Sequence, residues 1–230
     1  MSGWDEDDSF QSTLDALDGD EWDDDGRKVV RRKGQQSEEA MRARAQKTRD
    51  RQILRRATSE QRLRDVLDWH LQDGTAYHVI TGGDVDFLSF VRCVVEAQPL
   101  DYLLISTWVM ARDDADELAD WLAKGYVKRL DVYAGERSIE HYAQTWDALE
   151  RVVPSYGGRL VTSKNHSKVA LMYGRDYTAV LESSANVNTN PRMEQSCITV
   201  SEELADFYKG VFDGLTSIRE WPYPWEPWER

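Results

Sequence analysis

Cysteine is nearly absent. The 230-residue chain has two, Cys93 and Cys197, each inside a short apolar run, VRCVVEA and QSCITV. That excludes a disulfide framework and a cysteine-based zinc pattern, and both residues are expected in the core. Long apolar runs are missing too, and no charged segment leading into an apolar stretch opens the chain. With nothing of bilayer-spanning length, no membrane role is expected and the expected location is the cytoplasm. Lys and Arg are missing from the first 26 residues, which hold 11 acidic groups. A segment this acidic and this poor in apolar residues is expected to form a disordered tail over 1–26.

The next segment reverses the sign. Residues 27–64 carry 14 Lys/Arg against 4 acids, and residues 65–230 carry 15 basic against 27 acidic groups, for a net charge of −13 over the chain. An acidic body repels phosphate backbones, so the segment 27–64 is the part with the right sign for nucleic acid. The acidic tail beside it can serve as an intramolecular mask. Composition over 27–71 favours a basic helical segment, with Ser37, Glu38 and Glu39 at a helix start. Leu63, Val66, Leu67 and Leu71 fall at helical spacing and are expected to pack on the body.

From Ala76 onward short strand patterns alternate with helical ones. Strands are expected at Ala76–Thr81, Asp101–Thr107, Lys128–Ala134, Gly158–Ser163, Ser167–Tyr173, Tyr177–Glu182 and Gln195–Val200. Between them come three helices. One is capped by Asp84, buries Phe87, Phe90, Val91, Val94 and Val95, and stops at Pro99. The second spans Asp113–Lys124, with Leu118, Trp121 and Leu122 inward and Gly125 closing it. The third is capped by Ser138 and carries Tyr142, Trp146 and Leu149. A last helix over Glu202–Leu215 is expected to bury Leu204, Phe207, Tyr208, Val211 and Phe212. This alternation predicts an α/β domain over 72–218, a mixed β-sheet sandwiched between helices. The Trp/Pro-rich C-terminal tail, 219–230, which ends in WPYPWEPWER, can be neither helix nor central strand. Its tryptophans must pack on the body, across a dimer interface, or against a protein partner.

The polar residues that call for chemistry lie in NHSKVALMYGRDYTAVLESSANVNTNPRMEQ, residues 165–195. Side chains two apart on a strand share a face, so His166 and Lys168 are expected to project together. Ser184 and Asn186 share a side at the end of the next strand. If those strands pair through the turn Gly174-Arg175-Asp176, the four side chains converge. A point charge, neutral donors and a ring nitrogen able to act as base or nucleophile make a phosphate site. Glu194 is the best-placed carboxylate to hold the imidazole, with Asp176 as the other candidate. Ser106 and Trp108, at the end of an earlier strand, are candidates to line the cleft.

The run HSK…SSAN…E resembles the phospholipase D superfamily signature H-x-K-x4-D-x6-G-S-x-N. The resemblance covers roughly residues 76–215, with the motif itself confined to 166–194. It implies a mixed sheet between helices, His166 as nucleophile or general acid, Lys168, Ser184 and Asn186 as phosphate ligands, and Glu194 as the group orienting the histidine. Ser183 stands where the family has its glycine, and Tyr173 stands five after Lys168, where the family has its Asp. Asp176 lies eight after Lys168 but keeps the six-residue spacing to Ser183. Members use two HxK motifs and this chain has one, so the resemblance implies a homodimer with two His166 side chains meeting across a twofold axis. It further implies a metal-independent phosphodiesterase working through a phosphohistidine, with no cofactor. Nucleic acid is the expected substrate. The alternatives are phospholipid hydrolysis or phosphatidyl transfer, and a non-catalytic phosphate-binding or protein-interaction module on the same fold.

Overall fold

The structure is a computed structural model that describes residues 59–67, 71–82, 85–138, 142–187 and 192–230. The acidic tail, the basic segment up to residue 58, Asp84 and residues 188–191 of the asparagine loop lie outside the described residues. A helix over 59–66 (α1) opens the described body, and Leu63, Leu67 and Leu71 are buried as their spacing predicts. Val66 is 72 % exposed, a correction to the expected packing set. Ion pairs of Glu60 with Arg92 and of Arg64 with Glu96 tie α1 to the next helix. Among the described residues no helix is long and apolar enough to cross a membrane.

The strands are β1 (Ala76–Thr81), β2 (Leu100–Thr107), β3 (Leu130–Gly135), β4 (Leu160–Ser163), β5 (Val169–Gly174), β6 (Thr178–Ser183) and β7 (Glu194–Val200). They form one mixed sheet in the order β1-β7-β6-β5-β2-β3-β4. β2, β3 and β4 run parallel to one another, and every other pairing is antiparallel. The central strands β2, β3 and β5 are buried on both faces or nearly so, which is why LDYLLIST and VALMYG read as continuous runs rather than as alternations.

One face of the sheet is covered by α1, α2 (Phe87–Ala97), α3 (Arg112–Ala123) and α4 (Ala143–Glu150). The other is covered by α5 (Glu202–Asp213) and the C-terminal tail. The sheet is thus sandwiched between helices, as expected. α2 is capped by Asp86, whose Oδ1 accepts from the Ser89 amide and hydroxyl, each at 2.7 Å. The helix stops at Ala97 because Pro99 drives the preceding Gln98 into extended backbone. α3 closes at Gly125, whose φ of +73° suits a residue without a side chain. Ser138 does not cap α4, which begins at Ala143. Its hydroxyl donates instead to the Trp108 carbonyl at 2.8 Å.

Two expected core positions are on the surface. Phe207 and Val211 of α5 are 64 % and 53 % exposed, while Ala205 and Phe212 are buried and Leu204 and Tyr208 pack beside them. Cys93 is buried as expected, but Cys197 is half-buried.

The Trp/Pro-rich tail packs on the body. Trp228 stacks on Tyr102 with ring centroids 4.9 Å apart and planes 13° from parallel, and it also meets Tyr173. Trp225 lies over the Arg159 guanidinium at 3.4 Å and donates from its indole nitrogen to the buried Asp131. Burial pushes the Asp131 carboxyl up, against the pull of Arg129 and of the hydrogen bonds from Tyr102, Arg159 and Trp225. Before the tail, Ser217 and Ile218 bond across the outer edge of β4.

Candidate phosphodiester site

The sheet brings His166, Lys168, Ser184, Asn186 and Glu194 to one end. That end holds the carboxyl termini of β1, β2, β3, β4 and β6 and the approaches to β5 and β7, the customary place for ligands in open α/β sheets. His166 and Lys168 are not on the strand as expected. They stand in extended chain just before β5, where the His166 carbonyl accepts from Lys168 Nζ and the Ser167 amide is held by Asn165.

His166 is exposed, whereas Lys168 is only 8 % exposed. The Lys168 Nζ lies 2.8 Å from His166 Nδ1 and donates to the His166 carbonyl at 2.7 Å. An ammonium can only donate, so Nδ1 accepts and the proton of the neutral ring sits on Nε2. Burial pushes the Lys168 ammonium down from the ordinary lysine range, and the charge of Glu194 opposes that shift.

Glu194 accepts the hydroxyl hydrogen of Ser184, and the Gln195 amide donates to the same Ser184 Oγ at 3.0 Å. Asn186 accepts the Trp108 amide through Oδ1 at 3.3 Å, which ties the β6 exit to the end of β2. Ser183 is engaged away from the cleft. Its hydroxyl lies 2.9 Å from Ser196 Oγ and accepts the Ala185 amide at 3.0 Å, shaping the turn that presents Ser184 and Asn186.

Asp176 is not brought to this site. It is exposed in the turn at the far end of the β5–β6 hairpin, where Gln98 Oε1 accepts its amide at 2.8 Å. A hairpin joined by that turn necessarily puts the turn and the Lys168/Ser183 end at opposite ends of the strands, about 17 Å apart for five steps along a strand. Tyr173, at the spacing where an Asp was expected, points across the sheet and donates to Asp206 at 2.8 Å.

The two cleft candidates divide. Trp108 is half-buried, with its ring centroid 5.1 Å from that of His166 and the planes 42° apart. Ser106 is fully buried and lies beneath the histidine segment instead of lining the cleft. Its hydroxyl is 2.6 Å from Ser167 Oγ and accepts from Asn165 Nδ2 at 2.8 Å.

That contact leads to Asn165, a residue the sequence pattern does not single out. Its Nδ2 also donates to the Tyr133 carbonyl at 3.0 Å, and Oδ1 accepts the Ser167 amide and hydroxyl at 2.9 and 2.7 Å. The side-chain amide thus pins the segment carrying His166 to the ends of β2 and β3. The signal available in sequence was the Asn-x-Ser spacing, since Asn readily bonds the backbone two residues on. Gly135, the last residue of β3, completes the bracket. A Cβ there would collide with Trp108 Cδ1 and come within 2.9 Å of the Asn165 carbonyl oxygen.

No family model matches the chain, and no curated protein matches it. Solved structures similar to it include three proteins. Polyphosphate kinase from Porphyromonas gingivalis is 17 % identical at a TM-score of 0.48, covering 64 % of this chain and 27 % of its own. NucT from Helicobacter pylori is 16 % identical at 0.46, covering 60 % of this chain and 94 % of its own. Phosphatidylserine synthase from Haemophilus influenzae Rd KW20 is 13 % identical at 0.39, covering 60 % of this chain and 37 % of its own. This chain therefore spans about a quarter of the polyphosphate kinase and over a third of the synthase.

Proposed function

We propose that the protein is a metal-independent phosphodiesterase acting on nucleic acid, working as a homodimer through a phosphohistidine. The observation that carries the reading is the Lys168–His166 contact, an ammonium held 2.8 Å from the ring nitrogen of an exposed histidine at the end of a sheet. Ser184, Asn186 and Glu194 stand at that same end.

The chemistry needs two histidines. In the first step Nε2 of one His166 attacks phosphorus, an N–P bond forms, and the P–O bond to the leaving group breaks. The leaving oxygen takes a proton from the second His166. In the second step water attacks phosphorus, its proton passes to the second His166, and the N–P bond breaks. The attacking Nε2 must be bare, whereas the resting ring carries its proton there. A phosphate drawing the Lys168 ammonium onto its own oxygens releases Nδ1 to take that proton. Lys168, the Asn186 amide and, once its hydrogen turns away from Glu194, the Ser184 hydroxyl then face the charge that grows on the phosphoryl oxygens. Trp108 beside His166 offers a stacking surface, and the basic segment 27–64 supplies the sign for a phosphate backbone.

The test is cleavage of nucleic-acid and phospholipid substrates side by side in EDTA by wild type and His166→Ala. Wild type is expected to cleave nucleic acid, and the variant to lose cleavage while still binding DNA. Cleavage that requires Mg²⁺, or wild type that cleaves nothing, overturns the reading. Cleavage of phospholipid alone assigns the site to lipid chemistry. Binding without cleavage leaves a phosphate-binding module.

A further inference from the structure

Six side chains form a two-by-three grid on the outer face of the sheet beside the candidate site. His78 on β1 faces Cys197 on β7, which faces Glu182 on β6. One step toward the site, Ile80 faces Gln195, and the Ser184 amide bonds the Gln195 carbonyl at 3.0 Å. These residues line a cavity of about 480 Å³. Tyr208 of α5 donates to Glu182 of its lining, and His78 and Ile80 are exposed. Ser184 belongs to both the cavity and the candidate site, so the two adjoin.

The lining sets the chemistry of the occupant. Among the described residues it holds no Lys or Arg and one carboxylate, so a second phosphate would be repelled. An acyl chain would shut water away from the remaining acceptor capacity of Glu182 and from the Gln195 amide while offering no hydrogen bond in return, which is costly. A flat, uncharged ring carrying N–H donors fits. It can lie between the His78 imidazole and the Ile80 side chain and donate to Glu182, whose carboxylate has acceptor capacity beyond the Tyr208 bond. Gln195, exposed, offers both a donor and an acceptor.

We propose that this cavity is a subsite for the nucleobase next to the scissile phosphate, with preference for a base that presents an exocyclic amine. The proposal rests on the phosphodiesterase reading for its place in catalysis, but the cavity's ligand preference is measurable without turnover. Cys197 is the built-in reporter. It is half-buried at the centre of the grid with its Sγ 3.9 Å from His78 Nε2, and the only other cysteine, Cys93, is buried with its thiol pushed up to about 11 by desolvation.

The experiment monitors alkylation of Cys197 by iodoacetamide on the full chain, with cytidine 5′-monophosphate, uridine 5′-monophosphate, inorganic phosphate or phosphocholine present. The cytidine nucleotide is expected to protect at a concentration about tenfold below the uridine one, the ratio that one extra hydrogen bond to a charged acceptor provides. Phosphate alone should not protect. Glu182→Gln should abolish the cytidine preference, and Gln195→Ala, at an exposed position, should weaken protection by both nucleotides. Equal protection by the two nucleotides, stronger protection by phosphocholine, or no protection overturns the subsite. In parallel, bis(p-nitrophenyl) phosphate and a cytidine-bearing dinucleotide are offered as substrates. Glu182→Gln should raise KM for the dinucleotide alone, and an equal effect on both substrates counts against the subsite. If wild type cleaves neither, the phosphodiesterase reading fails while the alkylation result still decides the subsite.

Discussion

In the proposed reaction Lys168 has to be both sheltered and charged. Burial lowers its proton affinity and Glu194 partly restores it, so its ammonium is lost at a lower pH than that of an ordinary lysine. A group that must be protonated to hold phosphate imposes an alkaline limit on kcat/KM, which reports the free enzyme. That limb is expected below the ordinary lysine value of 10.5, and Lys168→Arg, always charged, should push it upward. An unchanged limb in the arginine variant would remove Lys168 from the titration. The same sign governs stability. The folded state holds this proton less tightly than the unfolded chain, so the cost of burying the charge is full at neutral pH and fades as pH rises through the folded value. Histidine, lysine and glutamate were legible in the sequence because charged and titratable residues near strand ends stand out. Asn165 and Gly135 were not, because their work is done by a bracket of backbone bonds and by the absence of a side chain. Asp176 satisfies a spacing along the chain, but a hairpin turn carries it away from the end where the strands deliver the candidate site.

The elements themselves were legible in the sequence, with strand edges displaced by one or two residues. α5 shows where periodicity fails. Positions 204, 207, 208, 211 and 212 all fit helical spacing, but together they span too wide an arc for one buried stripe. The sheet takes the 204–208–212 side with Ala205, a small residue that no hydrophobic pattern flags, and leaves Phe207 and Val211 in solvent. The tail was open between body, dimer and partner, and the structure places its tryptophans on the body. Trp228→Ala removes a half-buried ring stacked on Tyr102 and tilted against Tyr173. The expected cost is about 2 kcal/mol, below the range for fully buried tryptophan. At this chain length that lowers Tm by about 4–8 °C. Thermal unfolding of the variant checks this against Glu229→Ala, an exposed neighbour expected to be neutral. A Tm equal to wild type would mean the stacked strap contributes nothing to the fold.

At the scale of the whole molecule, one HxK motif per chain makes the proposed reaction depend on a second copy. Activity is then a property of pairs, and mixing tests it. When wild type and His166→Ala are allowed to exchange at equal amounts, random pairing leaves about half of the wild-type chains in fully wild-type dimers. Activity per wild-type chain should fall to about that fraction, and an undiminished value would mean that each chain works alone. The fold class and the site's position at a sheet end were legible in the alternation of strands and helices. The order β1-β7-β6-β5-β2-β3-β4 was not, because local pattern carries no information on which distant strands pair.

That order has a consequence in time. β1 finds its place only against β7, so the first described strand to leave the ribosome waits for the last. Such distant pairing makes for slow closure of the sheet. Glu194 and Gln195 arrive with that same final strand, after His166 and Lys168 have long been exposed on the growing chain. A nascent fragment therefore carries His166 and Lys168 without Glu194, and the candidate site stays incomplete until the last strand of the sheet is made.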